Sequence, residues 1–349
     1  MAINLAAKYS DKIAGMYTVG SLVADKTSNE WDFSGVKTIK IYTPQTVEPV
    51  DYTRSGSNRF GTPVEMGDTV QELTMSQDKS YSIIIDKGNN NEQMLVKNAG
   101  KMLKLQTNEK VVPMVDKYAL SRYCALAGTV SGIEKPTKAT IIEDIGNACK
   151  VLDDACVPQE NRYLYVTGEI YSLIRQSTEF LGLESLGTKA LEKGIVGDVF
   201  GAKIVKVPSS YLPSDVFFLL THKDAVILPY KIRDAKVHQD PPGISGALLE
   251  GRNNYDAFVI GARCMGVYVA AAASAVLDAP TISVSGSSAT ITSDVDGADI
   301  FYTTDGTDPR YSENVEKYSS SISVSDGMTL KAFVTKEGKL TSALAEEIV

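Results

Sequence analysis

The sequence predicts an α+β body followed by a small all-β domain, and three stretches carry that prediction. From Glu92 to Ala127 apolar residues recur at helical spacing. From 194 to 269 short β-rich runs follow one another between prolines. From Ala279 to Val349 composition shifts to Ser and Thr, with strand-length runs and no helical period before the last residues.

The helical stretch organises the chain. Leu95, Ala99, Met102, Val111, Val115, Tyr118, the stem of Arg122 and Leu126 mark an apolar stripe. Lys97, Lys101, Lys104, Glu109, Lys110 and Lys117 form the solvated face behind it. About 35 residues at ~1.5 Å each make a rod of roughly 50 Å, where the mean helix has about 11–12 residues. Pro113 has no N–H to donate, so it is expected to kink the rod or end its first half. A rod this long spans a domain face or a neighbouring subunit. Two ordinary core helices broken near Pro113 is the plainer reading.

Length and charge bound the rest. The 349 residues allow two domains, the larger burying about three quarters of its unfolded surface. A net charge of -8 gives no bulk attraction for nucleic acid. Near DNA, such a chain would enclose rather than grip it. Cys124, Cys149, Cys156 and Cys264 show no CxxC spacing, and only His222 and His238 could join them, so no metal site is expected. Cys149 and Cys156 lie seven apart and read as small core residues of one helix face. Such thiols point to a reducing compartment. The N-terminal run mixes Lys8, Asp11 and Lys12 and does not read as a signal peptide. No stretch reaches the ~20 apolar residues of a membrane span.

Taken in order, residues 1–35 read as an arm. A short amphipathic piece, Leu5–Val19, leads to Trp31, the single tryptophan, placed to anchor the arm on another surface. A segment tucked against its own domain is the alternative. Residues 36–91 read as strands (Val36–Thr43, Thr69–Met75, Tyr81–Ile85) around a polar tip. The tip runs from Tyr52 to Thr62 and carries Arg54, Arg59 and Phe60 among Gly, Ser and Asn. Loops beyond about 12 residues are uncommon unless functional or disordered, so a hairpin reaching outward is expected.

Thr140 and Glu143 match a capping box at the head of a helix whose face is Ile141, Ile145, Cys149, Leu152 and Cys156, stopped by Pro158. A buried strand Tyr163–Val166 and a helix Glu169–Gln176 follow. The strand-dense part comprises Ala202–Val207, Val216–Thr221, Ala225–Leu228, Tyr230–Val237, Tyr255–Ile260 and Met265–Ala270, in a mixed or antiparallel sheet. After an Ala-rich linker at 271–278, the runs Thr281–Val284, Ala289–Ser293, Asp299–Thr304, Ser321–Val324 and Thr329–Thr335 have the spacing of a small sandwich.

Gly194, Gly197 and Gly201 lack the GxGxxG pattern and precede a strand, so they read as bends entering the sheet rather than a phosphate loop. Asp294, Asp296, Asp299, Asp305 and Asp308 sit in turn-forming sequence; Asp-Gly is preferred hairpin chemistry, with calcium as the lesser reading. No nucleophile–base pair emerges around His222 or His238, and Asp153-Asp154 reads as a solvated face. Neither a catalytic site nor a cofactor site is assigned.

The order of arm, hairpin, long helix, α/β block and strand-rich domain resembles the tailed-phage major capsid protein family, with its Hong Kong 97-type fold. Three stretches look like that family: 82–92 leading into the long helix, 194–205 entering the strand-rich domain, and 265–270 as a closing strand. The resemblance implies an N-terminal arm at 1–35, an extended loop at 36–91, a peripheral domain with a spine helix at 92–199 and an axial domain at 200–270. It further implies a non-enzymatic shell protein of the virion, assembled in the host cytoplasm as hexamers and pentamers. Portal and scaffolding proteins would be partners, and double-stranded DNA would be enclosed without sequence-specific contact. Inter-subunit contacts would fall on Trp31, Tyr52, Arg54, Arg59 and Phe60. No cross-linking Lys–Asn pair is matched.

Residues 300–309, Ile-Phe-Tyr-Thr-Thr-Asp-Gly-Thr-Asp-Pro, with Leu330–Val334 following, look like the immunoglobulin-like domain at the C-terminus of chitobiases and related glycosidases. By that resemblance residues 279–349 would protrude from the shell and adhere weakly to glycans. A carbohydrate-associated surface adhesion protein is the alternative that the C-terminal likeness allows.

Overall fold

The computed structural model describes residues 20–31, 33, 36–88, 98–177 and 195–349. The amphipathic piece Leu5–Val19, the start of the predicted spine including Glu92 and Leu95, and Gly194 lie outside the described residues.

A six-stranded mixed sheet is the centre of the body. Its strands are β4 (Thr129–Ile133), β5 (Arg162–Val166), β6 (Ile195–Val199), β7 (Ala202–Lys206), β8 (Val216–His222) and β13 (Val267–Ala272), in the order β4-β13-β8-β5-β7-β6. β13–β4 and β5–β7 are parallel; β8 runs antiparallel to both its neighbours. Every residue of β5 is buried because both faces of the sheet are covered. Alternation divides the side chains. Tyr163, Tyr165, Leu219, Val267 and Val269 face the long helix, while Leu164, Val166, Phe218, Leu220 and Tyr268 face two amphipathic helices, α3 (Ile141–Asp154) and α4 (Gly168–Gln176).

The long helix runs unbroken from Ala99 to Ala125, as α1 (Ala99–Gln106), a π turn (Thr107–Val111) and α2 (Val112–Ala125). Asn98 caps its first described turn, accepting the N–H groups of Gly100 and Lys101. Pro113 does not end the rod. The wider turn just before it, closed by the Val112 N–H on the Thr107 carbonyl, accommodates a ring that would crowd a regular turn. Val115, Ala119, Leu120, Tyr123 and Cys124 are buried against the sheet. Truncating a fully buried leucine such as Leu120 to alanine costs about 2–5 kcal/mol.

Strands β1 (Thr38–Pro44) and β2 (Asp68–Thr74) pair antiparallel from Thr38↔Thr74 to Pro44↔Asp68, so residues 45–67 form one long outward excursion. Strand β3 (Gln77–Asp86) joins β10 (Tyr230–Gln239) and β11 (Gly246–Tyr255) in a second sheet, whose Ile85, Ala247 and Leu249 pack against Ala99, Met102 and Leu103 of α1. A two-residue pair, β9 (Val226–Ile227) and β12 (Phe258–Val259), lies beneath the hairpin base.

Two local expectations fail. Thr140 does not cap α3: its hydroxyl accepts the Thr137 N–H at 3.0 Å, and the capping box with Glu143 does not form. Cys156 is not a core residue. The helix ends at Asp154, and Cys156 is exposed in the left-handed region, with φ 57°. Its N–H reaches the Asp153 carbonyl and the Val157 N–H reaches Leu152, the six-to-one closure that usually employs glycine.

The chain after the linker forms two sheets. One is β14 (Thr281–Ser285), β15 (Ser288–Thr292) and β18 (Ile322–Ser323); the other is β16 (Asp299–Thr303), β17 (Glu316–Lys317), β19 (Thr329–Thr335) and β20 (Ala345–Ile348). Ala289, Ile291, Tyr302, Ile322, Leu330 and Ala332 fill the space between them.

Candidate functional site

Among the described residues the chemistry-bearing side chains are held in separate local contacts. Cys156, His222 and Asp224 line one cleft of about 400 Å³, but the His222 Nδ1 accepts the Asp224 N–H at 3.2 Å and is taken up by its own loop. His238 is exposed on β10 and meets Glu250 at 3.4 Å. Among the described residues no group of three His, Cys, Asp or Glu side chains could hold a metal. Asp299 pairs with Lys317 at 2.7 Å, Asp305 accepts from Thr307 and Asn314, and Asp308 grips Arg310.

The excursion between β1 and β2 is different. Val47, Val50, Tyr52, Phe60, Val64 and Met66 are all exposed, Phe60 at 86% and Tyr52 at 52%. Its tip is nonetheless ordered by its own bonds. The Thr53 N–H donates to the Arg59 carbonyl at 3.1 Å, the Arg59 Nε to the Gly56 carbonyl at 3.2 Å, and the Gly61 N–H to the Asn58 carbonyl at 2.9 Å. Tyr52 and Phe60 meet edge to face at 5.0 Å between ring centres. The structure therefore brings Tyr52, Arg59 and Phe60 together at one tip, with Arg54 exposed beside them. In the single chain these apolar side chains are left to solvent.

Trp31 lies elsewhere. Its half-buried ring sits under Arg263, 5.4 Å from the guanidinium carbon to the ring centre, and packs on the Phe33, Ile41, Leu73 and Phe258 cluster. Arg263 also pairs with Glu30 at 2.9 Å. The described part of the segment, 20–33, is tucked against its own chain. Leu22 and Val23 join the main core, and buried Asp116 on the long helix accepts the Ser21 hydroxyl at 2.8 Å and the Leu22 N–H at 2.7 Å. Burial raises the Asp116 carboxyl above the usual aspartate range, against those two bonds and the charge of Lys26.

The hairpin base is tied down as firmly as its tip is free. Gln71 donates to the Val259 carbonyl at 2.9 Å and accepts the Gly261 N–H at 2.8 Å. Where β2 ends, Asp256 accepts both the N–H and the hydroxyl of Ser76, and it also accepts the Tyr118 hydroxyl from the long helix at 2.8 Å. Sequence reading missed Asp116 as an anchor, although a lone acid between Val115 and Ala119 on an apolar stripe was the available signal.

The base of the excursion is fastened while its apolar side chains face solvent. Three-quarters of the chain has the fold of phage capsid proteins. The solved structure from Mycobacterium phage Che8 matches 77% of this chain and 98% of its own, at 20% identity and a TM-score of 0.62. The capsid of cyanophage P-SCSP1u matches 77% and 93%, at 15% identity and 0.63. The mature capsid of bacteriophage PhiM1 matches 77% and 92%, at 10% identity and 0.60. Residues 280–346 match the chitobiase/beta-hexosaminidase C-terminal domain family. No curated protein sequence matches the chain. Among the described residues no helix is long and apolar enough to cross a membrane.

Proposed function

We propose that this chain is a major capsid protein that assembles into the icosahedral shell of a phage head around double-stranded DNA. The observation that carries the proposal is the hairpin excursion at 45–67, whose apolar side chains are exposed while its base is fastened. Such a loop gains burial only on another molecule. Lying over the next subunit, it makes a head-to-tail contact that closes into hexamers and pentamers where the rotation allows. Permanent interfaces of this kind commonly bury 2,000–5,000 Å².

In this reading Tyr52, Arg54, Arg59 and Phe60 touch the neighbour, Trp31 contributes from the body's edge, and residues 1–35 act as the N-terminal arm. Residues 36–91, 92–199 and 200–270 act as extended loop, peripheral domain and axial domain, in a structural rather than catalytic role. Assembly takes place in host cytoplasm with scaffolding and portal proteins, and the acidic net charge of -8 keeps the wall from trapping its cargo. Electron microscopy of the protein expressed with and without the phage scaffold tests the proposal. Shells are expected, and deletion of residues 53–62 should abolish them while leaving the monomer's melting curve almost unchanged. Soluble monomers under every condition would overturn it.

The family match at 280–346 supports a second role for the same chain, weak adhesion to glycans by an immunoglobulin-like C-terminal domain on the shell exterior. Binding of assembled particles to a glycan array tests it. Binding by a secreted, unassembled chain would favour a surface adhesion protein instead.

A further inference from the structure

The C-terminal domain meets the body near Leu340 and through its 308–313 loop, and that loop touches both ends of the proposed assembly machinery. Arg310 and Tyr311 reach the C-terminal end of the long helix. The Arg310 Nη1 donates to the Ala127 carbonyl at 2.9 Å and the Gly128 carbonyl at 3.0 Å; the Tyr311 hydroxyl donates to the Leu126 carbonyl at 2.6 Å. Leu126 is the C-cap of the helix, whose carbonyl end carries the negative end of the dipole and is answered by the Tyr311 hydroxyl. Arg310 holds the turn that follows, at Ala127 and Gly128, before β4 begins at Thr129. Asp308 holds the guanidinium in a fork, Nε to Oδ1 at 3.0 Å and Nη2 to Oδ2 at 2.7 Å, with the Arg310 side chain only 5% exposed. Tyr311 and Leu340 belong to the core that the long helix shares with the sheet, and the Leu340 N–H donates to the Ala275 carbonyl.

The same loop meets the hairpin. Glu313 accepts from Lys40 of β1 at 2.8 Å, and Lys40 also faces Glu72 of β2 at 3.6 Å. Tyr311 packs on Gly261, where an added Cβ would come within 2.8 Å of its Cβ. Gly261 is the residue whose N–H holds Gln71 of β2.

We infer that the C-terminal domain is an internal brace. Its 308–313 loop locks the end of the spine helix and the base of the extended hairpin into one joint, and so sets the direction in which the hairpin leaves the body. This gives the domain a task besides any adhesion, and its importance for assembly rests on the capsid reading above.

Hydrogen exchange on the full, unassembled chain tests the brace without requiring shells. Arg310→Ala is expected to speed exchange at amides 126–130 and 38–44 tenfold or more while 329–335 stay protected. Lys317→Ala, on the domain's own edge, should leave both stretches at wild-type rates. Unchanged exchange in Arg310→Ala, or an equal change in Lys317→Ala, overturns the brace. Should Arg310→Ala fail to fold, Tyr311→Phe and Glu313→Ala each remove one bond and carry the same readout, at 126–130 and 38–44 respectively. Faster exchange in a protein that forms no shells would sink the capsid reading and leave the brace standing.

Discussion

The Asp116 carboxylate accepts the backbone N–H of Leu22 at 2.7 Å, fastening the segment that precedes the hairpin to the middle of the long helix. Its other oxygen holds the Ser21 hydroxyl at 2.8 Å. A buried N–H left without its acceptor costs about 1–3 kcal/mol. Asp116→Ala should therefore lower stability by about that much and release residues 20–28 into fast hydrogen exchange, while the six-stranded sheet remains protected. Equal protection of residues 20–28 in variant and wild type would refute the anchor.

At the tip, Phe60 touches Tyr52 and solvent. Surface changes away from buried features usually stay within about 0.5 kcal/mol. Phe60→Ala is expected to leave the monomer's denaturant midpoint where it was and to reduce shell yield at least tenfold by sedimentation. A large loss of monomer stability would show that the tip packs at home.

Cys156 occupies a left-handed position at the end of α3, φ 57°, where a Cβ is unfavourable by about 1–2 kcal/mol. Because its side chain is exposed, little packing opposes a change. Cys156→Gly should raise stability by about 0.5–1 kcal/mol, after glycine's greater unfolded-state entropy is deducted. Calorimetry decides; a lower melting temperature would mean that the thiol has a contact worth more than the strain.

His222 has its imidazole pKa lowered by burial, with the charge of Asp224 opposing that effect. Between the lowered folded value and the unfolded value near 6.5, the unfolded chain binds the proton and the folded chain does not. Stability therefore rises with pH through this window and is lost as pH falls below about 6.5, with a slope of at most ~1.4 kcal/mol per pH unit for one proton. His222→Gln should flatten the dependence of melting temperature on pH between 5 and 7. A slope identical to wild type would assign the effect to other groups.

Much of the body was legible because periodicity is local. The spine's stripe, the buried β5 and the Thr329–Thr335 strand follow from residues a few positions apart. What escaped was set by distant partners. Strand β11, rich in Gly and Asn, has poor β propensity and exists because β10 and β3 flank it on both sides. The final residues form β20 because β19 offers them an edge. Thr140 and Glu143 matched a capping box, but Thr137 lay within reach of the Thr140 hydroxyl and took it. The hairpin tip was readable as a long polar stretch that no core could claim. The junction at Arg310 was not, since its acceptors are main-chain carbonyls more than 180 positions away and carry no side-chain signature.

The widened turn at Thr107–Val111 does more than make room for Pro113. One additional residue within a helical turn swings everything beyond it by roughly 100° about the axis. Ahead of that turn, Ala99, Met102 and Leu103 look toward the β3–β10–β11 sheet; after it, Val115, Ala119 and Tyr123 look toward the six-stranded one. A single uninterrupted shaft thus serves two clusters of side chains, and the wide turn sets the angle between the faces it offers them.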